Sequence, residues 1–390
     1  MLRTPKQLTK TLQASIIGQD TGVRTIATAI AAHLVRINHN RRDPEHPIKK
    51  DNVLIIGPTG TGKSETVRTI IREYDLPIPV VVANAANLSP SGFKNKNTES
   101  ILDDLVKDAF RIILKNPKDY ISSGTEDQQR KEALEAAIQL ANQGIIVLDE
   151  VDKQRINPVA CEDENFFPRK IQEQILKAME GTTNLGDEES HGSKVDTTDI
   201  LFILCGAHVG LDDVIKQRLA NRANACKFIG FKENNTMKKE GDAGVAAKEE
   251  NEMIPTTEDL VLYGYLPELV GRITLVTRYR HLMEKDLYQI LKISKLSPSE
   301  NYALMFRDIG CRLSYTDNAL ALIAKKAATL NLGARGLRKV LSKIIYPIYY
   351  NVEETGKDIT ITSRTVDNTA GPIIKPEEKL TEKRGGFLTN

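Results

Sequence analysis

The chain has 390 residues, of which 40% are hydrophobic and 27% charged, the balance of an ordinary globular protein of two or three domains. Its 54 basic and 52 acidic side chains leave a formal net charge of +2, which gives no case for nucleic acid as a partner. No apolar run approaches a membrane span, and Cys161, Cys205, Cys226 and Cys311 stand in no C-x-x-C pair, which excludes zinc-ribbon and redox motifs and fits a reducing cytoplasm.

The N-terminus, MLRTPKQLTKTLQ, has no signal-peptide core. It is basic and free of acids up to Gly18, which leaves an organelle-transit alternative. Helical spacing of Val23, Ile26, Ala27, Ile30, Ala31 and Leu34 predicts a helix over 20–37. A polar, Pro-containing connection follows over 39–50, and the basic run Arg36, Arg41, Arg42, Lys49 and Lys50 reads as a solvated helix end and loop. Residues 53–56 are apolar throughout and end in Gly-Pro, which predicts a buried strand; similar strands are expected at 79–82, 145–148, 200–204 and 273–276. Strands alternating with helices specify an α/β domain with a parallel sheet covered on both faces. Segments 116–130 and 233–251 are polar and read as surface loops. Cys205 lies in an apolar run and reads as a small core residue.

After Thr277 the pattern changes to helices at 283–294, 299–308, 316–330 and 334–349, with short strands at 312–314 and 358–363. The expected division is an N-terminal extension (1–15), a large domain (16–277), a smaller, mostly helical domain (278–365) and a disordered polar tail (366–390).

Two motifs carry chemistry. Gly57-Pro58-Thr59-Gly60-Thr61-Gly62-Lys63-Ser64 fits G-x-x-x-x-G-K-[ST] between a strand and a helix. Glycines let successive N–H groups converge on phosphate oxygens, and the following helix adds its positive end. Lys63 reads as the contact to the β- and γ-phosphates of ATP, and Ser64 as a ligand for Mg2+. The apolar run 145–148 delivers Asp149 and Glu150 at a strand's C-terminal end, where α/β sheets bind ligands. Asp149 reads as the second magnesium contact and Glu150 as the general base for water.

Five segments in order resemble the ClpX and HslU unfoldases of the AAA+ ATPases. They are Ile-Ile-Gly-Gln at 16–19, the phosphate loop, Leu-Asp-Glu-Val-Asp-Lys at 148–153, Gly-Tyr-Leu-Pro-Glu-Leu-Val-Gly-Arg at 264–272 and Gly-Ala-Arg-Gly-Leu-Arg at 333–338. The stretch ILFILCGAHVGLDDVI at 200–215 looks especially like ClpX. The resemblance spans residues 16 to about 363 and implies an AAA+ large domain followed by a small helical domain. It implies nucleotide contacts from Gly57 through Glu65, with Ile16 and Ile17 at the adenine; ordinary core packing is the alternative for those two. Arg272 resembles an arginine finger that completes a neighbouring subunit's site, and Arg335 the sensor arginine of the small domain; a helix-end salt bridge is the alternative for both. A finger acting between subunits implies a homo-oligomer, in this family a hexameric ring.

Phe93, in Gly92-Phe93-Lys94-Asn95, stands where the family carries an aromatic pore loop that grips polypeptide, with a core role as the alternative. Ile229-Gly230-Phe231 resembles the tripeptide by which ClpX docks on the ClpP peptidase, with an ordinary short strand as the alternative. Three departures stand out. No four-cysteine zinc domain is present. The basic pore-entrance loop is replaced by an acidic one over 184–194. Segment 116–130 looks like an insertion. The resemblance thus implies an ATP-driven unfoldase acting on unfolded or tagged proteins and feeding a ClpP-like peptidase. A peptidase-independent remodelling chaperone and a nucleic-acid motor are the alternatives.

Overall fold

The computed structural model describes residues 4–74, 76–89, 98–121, 124–184, 194–228, 253–352 and 357–376. The chain divides into two compact units: one holds the first residues to Gln13 and Gln19–Arg280, the other Ala14–Gly18 and the chain from His281 onward.

The large unit is built on five parallel strands: β1 (Asn52–Ile56), β2 (Val80–Asn84), β3 (Ile145–Asp149), β6 (Leu201–Gly206) and β7 (Ile273–Arg278), in the order β2-β3-β6-β1-β7. A two-stranded antiparallel pair, β4 (Thr182–Asn184) and β5 (Lys194–Asp196), stands apart from this sheet. Central β1 and β6 are buried at every position, as their unbroken apolar runs predict. β2 and β7 are only half-buried, because each forms an edge with a neighbour on one side only.

Alternation along the strands splits the core in two. Leu54, Ile56, Ile146, Leu148, Phe202 and Leu204 share one cluster with residues of α4 (Thr98–Lys115), α5 (Glu126–Ala141) and α6 (Glu162–Glu180). Val53, Ile55, Val147 and Ile203 are equally buried on the opposite face, where α2 (Asp20–Arg42) packs on β1 and β7. α1 (Pro5–Gln13) buries Leu8 and Leu12 and packs on α2 and on α3 (Lys63–Glu73), so these residues are part of the large unit.

The second unit holds four main helices, Glu284–Ile293, Pro298–Asp308, Asp317–Ala328 and Ala334–Tyr350, around its own core centred on Phe306, Ile323, Leu337, Leu341 and Ile345. A three-stranded sheet completes it, with β9 (Lys357–Ile361) between β8 (Arg312–Tyr315) and β10 (Ile373–Pro376).

Several expectations are corrected. The tail does not begin at 366: Ile373–Pro376 pairs antiparallel with β9, since an open strand edge recruits main-chain groups whatever the composition. The loop expected over 116–130 is partly helical. α5 starts at Glu126, capped where the Thr125 N–H donates to Gln128 Oε1 at 3.2 Å, a T-x-x-Q signal. The basic run is not all solvated. Arg36 is buried and bonds the Asp199 carboxylate, and Lys50 donates to Thr197 O at 2.7 Å. Arg41, Arg42 and Lys49 are exposed.

Candidate functional site

The site is assembled at the C-terminal edge of the sheet. β1 ends at Ile56, α3 begins at Lys63, and residues 57–62 join them. Gly60 and Gly62 have φ of 75° and 96°, in the left-handed region that glycine enters without strain. The first N–H groups of α3 have no partner within the helix and carry its partial positive charge, a setting that favours an anion. Lys63 is buried, and its Nζ donates to Gly57 O at 2.6 Å and Pro58 O at 2.8 Å, folded over the loop's own carbonyls. Thr61 Oγ1 donates to the same Pro58 carbonyl at 2.8 Å.

β3 brings in the acids. Asp149 lies two strands from the phosphate loop, yet its Oδ2 accepts a hydrogen bond from Ser64 Oγ across the end of β6. Its Oδ1 accepts the Glu150 N–H at 3.0 Å. Glu150 leaves the strand at φ 57°, and its Oε2 accepts from Asn84 Nδ2 at 3.2 Å. Asn84 ends β2 in register with Asp149, which explains why it faces the acids.

The Ser64 hydroxyl and Asp149 carboxylate are hard oxygen donors in mutual contact. Among the described residues no group of three or more His, Cys, Asp and Glu could hold a metal. As oxygen donors, Ser64 and Asp149 fit magnesium, which binds through one or two protein oxygens plus phosphates and water.

Behind the acids the 3₁₀ turn 151–154 carries buried Asp152, whose Oδ1 accepts the Ala207 N–H at 3.1 Å. His208, next in the turn after β6, bonds the Tyr265 hydroxyl through Nε2 at 2.9 Å. Burial pushes the His208 pKa down to about 4, so the imidazole is neutral at neutral pH. Gln172 Nε2 donates to Gln154 O and Gly264 O, at 2.7 and 3.0 Å, tying this turn to the segment that leads to Arg272.

Arg272 stands just before β7, which runs parallel to β1. It therefore sits at the N-terminal edge of the sheet, a full strand away from its own phosphate loop. There its Nε donates to Glu180 Oε1 at 3.0 Å, and both side chains are about half exposed. Arg335 is exposed in the first turn of Ala334–Tyr350 in the second unit. Ile16 is buried, and Ile17 is half-buried against the core of that second unit, to which residues 14–18 belong. Glu65 lies in the first turn of α3, 3.4 Å from Arg72. Phe93 and Ile229-Gly230-Phe231 lie outside the described residues, as does the acidic segment 185–193.

The structure thus brings together Gly57–Ser64, Asp149 and Glu150. It adds residues that sequence reasoning did not single out: Asn84, Glu180 and the Asp152–His208–Tyr265 group. For Asn84 a signal existed, a polar residue closing an apolar strand in VVVAN. Nothing local marks Glu180, whose partner lies 92 residues away.

Residues 48–276 match the family model of the AAA domain (Cdc48 subfamily), and residues 282–350 that of the C-terminal, D2-small domain of ClpB protein. The chain is similar to the ATP-dependent Clp protease ATP-binding subunits ClpX of Borrelia duttonii and Borrelia recurrentis, at 30% identity over 96% of this chain and 81% of theirs. The ClpX subunit of Treponema denticola is 28% identical over 98% of this chain and 85% of its own.

Proposed function

The chain belongs to the AAA+ ATPases, in the ClpX-like branch of the Clp family, and on that footing we propose that it is the ATP-driven unfoldase of a Clp-type protease, working as a ring. The observation that carries the ring is the position of Arg272. Neither residues 57–64 nor the pair Asp149 and Glu150 includes an arginine, and the Arg272 of the same chain is at the opposite edge of the sheet. A neighbour whose Arg272 edge meets this site completes it.

In this reading ATP lies along residues 57–64. Lys63 exchanges the carbonyls of Gly57 and Pro58 for phosphate oxygens, and the N-terminus of α3 faces the same charge. Ser64 and Asp149 would hold magnesium, which when bound offsets charge on the β- and γ-phosphates. Glu150, oriented by the Asn84 amide, takes the proton of the attacking water. The neighbour's Arg272 leaves Glu180 to meet charge developing on the γ-phosphate; an exposed ion pair of this kind is worth only about 0–1 kcal/mol, so its release costs little. The resemblance to ClpX subunits, taken alone, extends the proposal to Arg335 as a sensor of nucleotide state and to Ile16 and Ile17 as adenine contacts.

Hydrolysis then drives Phe93 against a substrate polypeptide, unfolded or tagged, and Ile229-Gly230-Phe231 docks the ring on a ClpP-like peptidase. The similarity to ClpX subunits over most of both chains supports this reading. Among the described residues no helix is long and apolar enough to cross a membrane.

The deciding experiment is an ATP-dependent degradation assay with a ClpP-type peptidase and an unfolded substrate, with Phe93→Ala and Phe231→Ala alongside. Degradation lost in both variants, with ATPase retained in Phe231→Ala, supports the unfoldase–peptidase reading. Unfolding that proceeds with no stimulation of the peptidase replaces it with a free-standing remodelling chaperone.

A further inference from the structure

Tyr279 lies one residue past β7, at the end of the large unit, and only 1% of it is exposed. Its main-chain N–H donates to Ile56 O at 2.7 Å. That carbonyl and the Gly57 N–H belong to one planar trans peptide and point in opposite directions. The Gly57 N–H donates to Gly206 O at 3.2 Å, so the entrance to the phosphate loop is clamped between Tyr279 and β6. The fit is tight: a Cβ on Gly57 would fall 2.5 Å from the Tyr279 carbonyl oxygen and 2.8 Å from its Cβ.

The phenol of the same residue reaches the other end of the loop. Its hydroxyl lies 2.8 Å from Thr66 Oγ1, and Thr66 Oγ1 donates to Gly62 O at 2.8 Å. Because the Thr66 proton goes to Gly62, the phenol donates to Thr66, and the chain of protons runs from Tyr279 through Thr66 to Gly62. Burial pushes the Tyr279 pKa up, so the phenol keeps its proton. Gly62 O and the Lys63 N–H again share one peptide plane and point apart. Holding the carbonyl back toward the body of α3 holds the Lys63 N–H toward the loop interior.

Tyr279 is itself fixed from two sides. A Cβ on Gly22 of α2 would come 2.2 Å from its ring, so helix and phenol are in direct contact. The next residue, Arg280, pairs both ways with the Gln19 side chain: its N–H donates to Oε1 at 3.0 Å, and Nε2 donates to its carbonyl at 2.8 Å. Gln19 and Arg280 are two of the three large-unit residues at which the chain crosses between the units, Gln13 being the third.

We propose that Tyr279 is a positioning residue of the nucleotide site, holding both ends of the phosphate loop in the shape that receives phosphate, with Thr66 as its relay. The proposal rests on the reading of 57–64 as that loop. It makes Tyr279 neither a nucleotide contact nor mere core filling.

The test uses the full chain, with a fluorescent ADP analogue for affinity, steady-state ATPase kinetics and the melting temperature without nucleotide. Tyr279→Phe removes one hydroxyl and keeps the ring. It is expected to weaken ADP binding and raise KM for ATP about three- to tenfold, the worth of one buried hydrogen bond, with kcat changed by less than about twofold. Thr66→Val should weaken binding at least as much, Thr66→Ser should restore it, and the double variant should be no weaker than Thr66→Val alone. Unchanged affinity and KM in Tyr279→Phe with a lowered melting temperature would make Tyr279 core filling and overturn the proposal. If Tyr279→Phe does not fold, the Thr66→Val and Thr66→Ser pair decides the same question. Wild-type affinity in Lys63→Ala would instead sink the underlying assignment of the loop.

Discussion

The role proposed for Arg272, completing a neighbour's site, makes a quantitative prediction for mixed rings. β1 has five residues, so at about 3.3 Å each its two ends are about 17 Å apart. Arg272 stands beside the start of that strand and the phosphate loop follows its end. An extended arginine side chain covers less than half of the gap, so no rotamer carries Arg272 to its own site. Arg272→Ala alone should lower kcat by about 10³-fold or more, the worth of an arginine finger. Glu150→Gln alone should also lose most of its turnover, about 10²–10⁴-fold, for lack of a base. Mixed in equal amounts and allowed to exchange, the two variants should regain ATPase activity. An Arg272→Ala subunit retains a complete loop and both acids, and a Glu150→Gln neighbour supplies the arginine. With random placement half of the sites carry Arg272→Ala and half of their neighbours carry Glu150→Gln, so about one quarter of wild-type activity should return if sites fire independently. The assay is steady-state ATPase against mixing ratio, with the maximum expected at equal amounts. If mixtures at every ratio stay as inactive as the separate variants while native mass shows mixed rings, Arg272 does not act between subunits, and the argument from the sheet fails.

Glu150→Gln by itself should bind ATP normally while turnover falls by about 10²–10⁴-fold, because the amide can still accept from Asn84 but cannot take a proton; nucleotide binding and phosphate release check both halves. Gly264→Ala should destabilise the large unit by about 2–4 kcal/mol, read as a lower urea midpoint: Gly264 has φ 119°, and a Cβ there would lie 2.0 Å from Ile156 O. Acid should weaken the same unit through two histidines. Burial first, then Arg36, lowers the His33 pKa from 6.5 to about 4, and burial lowers that of His208 to about 4. Both are neutral in the fold, so between pH 6.5 and 4 the unfolded chain binds protons that the folded chain refuses, and stability falls as pH falls. Each contributes on the order of 3 kcal/mol over that window, and none above it. Urea unfolding at pH 7, 5.5 and 4.5 should show the decline, and His33→Gln should remove about half of it; a flat profile would show that neither imidazole is held neutral.

The elements were legible because their signals are local. Unbroken apolar runs such as 53–56 and 201–204 mark buried strands wherever the chain later places them, and G-x-x-x-x-G-K-S marks a loop whose shape its glycines permit. Misjudged segments had signals outvoted by composition. Residues 126–130 are all polar or charged, and only the Thr125–Gln128 cap announced α5. Ile373 and Ile374 stand among prolines and lysines, and their pairing depends on the open edge of β9, which no local pattern encodes.

By itself the sequence determined the classes of element, the phosphate loop and the pair of acids, since backbone freedom, periodicity and side-chain chemistry are properties of short stretches. Tertiary structure alone decided that β6 comes between β1 and β3, so that Ser64 meets Asp149 over its end. It alone decided that Asn84 holds Glu150, that Glu180 holds Arg272 far from its own loop, and that Tyr279 backs the loop from 213 residues beyond Thr66. Strand order and buried polar pairing depend on which distant surfaces the whole chain can close against each other at once, and that balance is struck over the whole unit, not within any one segment.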